Sequence, residues 1–169
     1  MGRKYDAIFL THWNHFISLE EDLNMLSRYV EFDERNFKTF SVELVRLYLA
    51  SCSEIDTLLK KVCNWIEPQK KHGNIVAYKK TMEESQPLFF DSEVREIRHK
   101  LIFHPWKQWI PQNSPNWWKG YNDVKHERTS HYRKANLENV LNSISALFVT
   151  TLYYYTIAYR KKEQNNNIS

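Results

Sequence analysis

The sequence predicts an all-α domain, an antiparallel bundle of about four long helices with one irregular insert. Three observations carry this. Only three glycines and five prolines interrupt 169 residues, too few breakers for the many turns of an all-β fold. Apolar residues recur at steps of three and four along several stretches, the period of one helix face. A long segment, Asn139 to Tyr159, carries no charge at all.

The first helix is read from Phe9, Trp13, Phe16, Leu19, Leu23, Leu26 and Val30. The polar run Glu31 to Asn36 connects it to a second helix carrying Val45, Tyr48, Cys52, Ile55, Leu59, Val62 and Ile66. That helix should stop near Glu67-Pro68, because a residue preceding proline avoids the helical region. Ile75 to Ser85 suits a short helix. Residues 86–112, with breaks at Pro105 and Pro111, form an irregular insert that includes either an extended piece or a small hairpin. Ser114-Pro115 is a helix start, with a hydroxyl cap and proline in the first turn. Asn136 caps a last helix that is apolar nearly all round, as a helix central to its bundle should be. Residues 1–162 thus form one domain, and Glu163 to Ser169 a disordered polar tail.

The last helix is long enough to span a bilayer. Asn142, Ser143, Ser145, Thr150, Thr151 and Thr156 interrupt it, so a buried core helix is the expectation and no membrane partner is implied. Cys52 and Cys63 lie about three turns apart on one helix, too far to bridge. With no apolar run after Arg3 and Lys4, no secretion signal is expected, and a cytoplasmic location follows. The net charge of +4 permits a nucleic-acid partner without demanding one. No Gly-rich phosphate loop, Gly-x-Ser-x-Gly elbow, Cys-x-x-Cys or His-Glu-x-x-His pattern occurs. Nucleotide-binding folds and serine hydrolases are disfavoured, and neither a metal nor a cofactor is expected.

The densest polar-aromatic cluster runs from Ser114 to Arg128. On a helix, Trp118, Asn122 and His126 follow one another at four-residue steps. An amide can orient a phosphate, an imidazole can move a proton near neutral pH, and lysine or arginine can stabilise a pentacovalent phosphate transition state. These are the groups that metal-free RNA cleavage uses. The competing reading is a buried amide–imidazole pair that pins helices together, in a non-catalytic interaction module. Trp117 and Trp118 suit either base stacking or the core, and their helical spacing beside Tyr121 favours the core. Glu54, on the second helix, has two readings, a contact with the Asn122/His126 helix or a solvated face or ordinary ion pair, and the latter is the plainer expectation.

The stretch Asn122-x-x-x-His126, late in a helical chain and followed by one long apolar helix, resembles the Arg-Asn-x-x-x-His signature of HEPN domains. Tyr121 stands where that signature has arginine. The string Trp117-Trp118-x-x-Tyr121-Asn122-x-Val124-Lys125-His126-x-Arg128 also resembles a group of small bacterial proteins without assigned activity. The HEPN resemblance implies a small helical bundle, often dimeric, that binds RNA and in many members cleaves it without metal, in toxin–antitoxin or phage-defence settings. It implies catalytic roles for Asn122, His126, Lys125 and Arg128, and substrate contacts from Lys119, Trp118 and Tyr121. The implied partners are RNA, a second copy of the chain, and an antitoxin or other protein. Arg98 and His104 fit a looser Arg-x(4–6)-His form of the same signature.

Overall fold

The computed structural model describes residues 7–110 and 112–166. Six α-helices and a two-stranded hairpin follow one another: α1 (Ala7–Leu26), α2 (Val42–Ile66), α3 (Ile75–Ser85), β1 (Val94–Glu96), β2 (Leu101–Phe103), α4 (Asn116–His126), α5 (Arg128–His131) and α6 (Leu137–Asn166). The all-α bundle with an insert is therefore the observed architecture. The insert does contain a hairpin, with Val94 opposite Phe103 and Glu96 opposite Leu101 in antiparallel register.

The centre of the bundle is the α2–α6 pair, against which α1, α3 and α4 pack. The predicted stripe of α2 is the buried one: Val45, Tyr48, Cys52, Ile55, Leu59 and Val62 all lie in the core. Ser41 caps its start by accepting from the Leu44 amide, and the helix ends at Ile66, before Glu67-Pro68. From α6, Leu137, Val140, Leu141, Ile144 and Leu147 reach the same core. Several of its hydroxyls are absorbed locally. Ser143 meets Ser51 of α2 at 2.8 Å, and Thr150 and Thr151 donate to the carbonyls of Ala146 and Leu147. Such back-bonding removes the cost of burying an unpaired hydroxyl. Although α6 is long and apolar enough to cross a membrane, most of its apolar window is buried inside the protein, as for a core helix.

Three local expectations are corrected. The first helix ends at Leu26, and Ser27 to Val30 form turns. Ser114 makes no capping bond; Pro115 is itself the cap residue of α4, and the Asn116 amide donates instead to Gln108 Oε1 at 3.3 Å. Glu54 follows the plainer expectation, pairing with His12 of α1 and not meeting α4. The last helix runs on to Asn166, through the start of the stretch read as a disordered tail; Lys161 anchors this end by donating to the Trp65 carbonyl at 3.4 Å. Residues 167–169 lie outside the described residues. The cap expected from Asn136 is present, its Oδ1 accepting from the Asn139 amide at 3.0 Å.

Candidate functional site

The position of α4 is set by its buried side. Trp117, Trp118, Tyr121 and Val124 face the core. The Trp117 indole donates to the Pro105 carbonyl at 2.8 Å, tying the helix to the insert. The Tyr48 hydroxyl, reaching over from α2, donates to the Trp117 carbonyl. Gly120 sits at this contact, where a Cβ would lie 2.8 Å from the Tyr48 oxygen and 3.3 Å from Asn139 Nδ2. Close approach, not an unusual backbone angle, is what glycine supplies here.

Fixing that side inward turns the other side outward. Asn122 is half-buried, and Lys119, Lys125, His126 and Arg128 are exposed. Among the described residues, neither the Asn122 amide nor the His126 imidazole makes a side-chain hydrogen bond. The bland reading of the pair, as buried groups satisfied by each other or by the core, is thus not the arrangement seen. Lys125 lies over the Tyr121 ring, 5.5 Å from its centre, and Lys119 donates to Gln112 Oε1 at 2.9 Å. Arg128 makes no ion pair among the described residues.

The resemblance implies substrate contacts from Trp118 and Tyr121, whereas the helical spacing favours the core, and the core is where they lie. Both are 4% exposed, and their rings lie 5.1 Å apart within the core; they are supports of α4 and offer no face for stacking. Burial raises the Tyr121 phenol to about 12, so it stays neutral at physiological pH.

Charge accumulates around Asn122 and His126. Between residues 116 and 134, Lys119, Lys125, Arg128, Arg133 and Lys134 stand against Asp123 and Glu127, a net +3 of the chain's +4. Asp123 is held below the usual carboxylate range by Lys134, 2.6 Å away, and Glu127 accepts from the Ser130 hydroxyl. The surface is basic, and Asn122 and His126 line neither of two cavities that lie elsewhere in the molecule.

Arg98 and His104 are not brought together as one site. Arg98 turns towards α1 and lines a cavity there; His104 follows β2, lies 3.8 Å from Glu93, and lines a different one. A third constellation escaped the sequence reading. Lys61 donates to His12 Nε2 at 3.0 Å, while His12 Nδ1 meets Glu54 and the ring stands edge-on to Tyr154 at 4.9 Å. Its members are far apart in sequence, and only the packing of α1 on α2 joins them. Comparison with protein-family models, with curated proteins and with solved structures yields no match for this chain.

Proposed function

We propose that the chain is a HEPN-like RNA-binding protein that acts as a metal-independent endoribonuclease in a bacterial defence or toxin–antitoxin setting. The observation that carries this reading is the amide–imidazole pair one helical turn apart, His126 exposed and Asn122 half-buried, both without side-chain hydrogen bonds among the described residues and set within a basic stretch of the chain. An unpartnered imidazole is free to accept a proton from a ribose 2′-hydroxyl. The 2′-oxygen then attacks the adjacent phosphorus, the 5′-oxygen leaves and takes up a proton, and a 2′,3′-cyclic phosphate remains. Lys125 and Arg128 stabilise the charge that builds on the phosphate oxygens, and Asn122 orients the phosphate or the imidazole. Because neither of those cavities lies at this face, the reading calls for a homodimer in which two such faces make a groove, one His126 serving as base and the other as acid.

The test is the product. Purified protein incubated with mixed-sequence RNA in EDTA should release fragments ending in 2′,3′-cyclic phosphate, and His126→Ala should release none. If binding occurs without cleavage, the enzymatic half of the reading falls. The second reading, an interaction module without catalysis, draws support from Asn122 and His126 lining neither of the two cavities described.

A further inference from the structure

A mostly apolar concavity lies away from α4, where the hairpin closes over α1 and α6. It has a volume of about 500 Å³, and its apolar walls include Phe16, Leu23, Phe32, Phe103, Ile144 and Phe148. That size and lining are typical of small-molecule sites, in which an apolar body is oriented by a few polar groups.

Two polar groups in this cavity lack the partners their surroundings would lead one to expect. Ser145 is only 7% exposed, and its residue lines the cavity. Its neighbours Ser143, Thr150 and Thr151 all spend their hydroxyls on α6 carbonyls, yet Ser145 has no hydrogen bond among the described residues. Its oxygen is not among the sealed, unpaired polar atoms of the described residues, so it stands open to water or to a ligand in a mostly apolar wall. Arg98, at the mouth, has no carboxylate partner among the described residues. It donates to Asn24 Oδ1 at 3.3 Å and Ser27 Oγ at 3.4 Å, both long for such bonds.

The remaining charges narrow the ligand. Arg95 is held by Glu93, and Glu96 accepts from the backbone and Nδ1 of His99. Glu20 and Glu21 line the α1 side of the rim and are exposed. They disfavour a multiply charged anion, leaving room for one negative group beside Arg98.

We propose that this cavity binds an apolar monocarboxylate, with its carboxylate on Arg98, its body against the phenylalanines, and Ser145 supplying an internal hydrogen bond. The site is separate from α4, and its occupancy does not depend on the RNA reading.

The experiment titrates the full chain with octanoate, octan-1-ol and octylammonium by calorimetry, and locates octanoate by intermolecular NOEs. Octanoate should bind tightest, with NOEs from its methyl group to the rings of Phe16 or Phe148. Arg98→Gln, a surface change, should weaken octanoate about tenfold, as loss of a charge-assisted bond does, and leave octan-1-ol unchanged. Ser145→Leu, which fills the cavity, should abolish binding of all three. No binding at millimolar concentration, equal affinity for the three headgroups, a preference for octylammonium, or NOEs elsewhere would each overturn the proposal. If Ser145→Leu does not fold, the Arg98→Gln selectivity and the NOEs decide alone.

Discussion

The Tyr48 hydroxyl and Gly120 occupy space that no side chain could share: a Cβ on Gly120 would stand 2.8 Å from that oxygen, which is already committed to the Trp117 carbonyl. This contact between α2 and α4 sets which side of α4 faces solvent. It therefore governs the exposure of Asn122 and His126.

Gly120→Ala is expected to destabilise the protein by about 1–3 kcal/mol, the usual cost of overpacking. This outweighs the roughly 0.5–1 kcal/mol that alanine gains over glycine inside a helix. The clash is with one oxygen, so removing that oxygen should relieve it. In a Tyr48→Phe background the same substitution should cost markedly less, and a double-mutant cycle of chemical denaturation midpoints measures the coupling. Simple additivity would show that Tyr48 does not set the helix position.

Trp118→Ala should cost about 3–5 kcal/mol, as for other large core truncations, and should weaken RNA binding only through loss of fold. Trp118→Phe, which keeps most of the packing, should bind RNA like the parent. Thermal melts and fluorescence anisotropy on the same samples separate a core role from base stacking.

Much of this architecture was legible because it rests on local pattern. The α2 stripe from Val45 to Val62 repeats for over four turns and stops before a proline, and α6 is apolar on nearly every side. The error at Trp118 has a geometric source. Four residues advance a helix by about 40° beyond one turn, so two such steps, Trp118 to Asn122 to His126, rotate by roughly 80° from the buried side to the exposed one. The His12–Glu54–Lys61 cluster and the cavity under the hairpin left no local signal, since both arise where distant segments pack. Arg98 and His104 are close in sequence, but the turn at Lys100, whose φ is +58°, reverses the chain between them.

Glu67 predicts part of the acid sensitivity. Lys70 and the Thr81 hydroxyl both donate to its carboxylate, with His72 Nε2 4.0 Å away, and these hold its pKa below the usual glutamate value. Its contribution is therefore complete above the ordinary glutamate range and is lost as pH falls through that range towards the lowered value. Glu67→Gln should lower the melting temperature at pH 7, and the gap to the parent should close on acidification. A gap that stays constant from pH 7 to pH 3 would contradict the assignment.

Lys125→Glu and Arg128→Glu should each weaken RNA binding without changing the melting temperature appreciably, since both side chains are exposed. If each contacts one phosphate of a single strand, its removal should reduce the slope of log affinity against log salt by about 0.7. The same charge reversal at Arg35, an exposed arginine in the α1–α2 connection, should leave that slope unchanged.

The most direct measurement follows the imidazole of His126 by NMR while a short RNA is added, its Cε1–H resonance assigned by its disappearance in His126→Ala. The account predicts that this signal shifts on titration while those of the buried His12 and His72 hold still. A stationary His126 resonance under conditions where the RNA binds would contradict it.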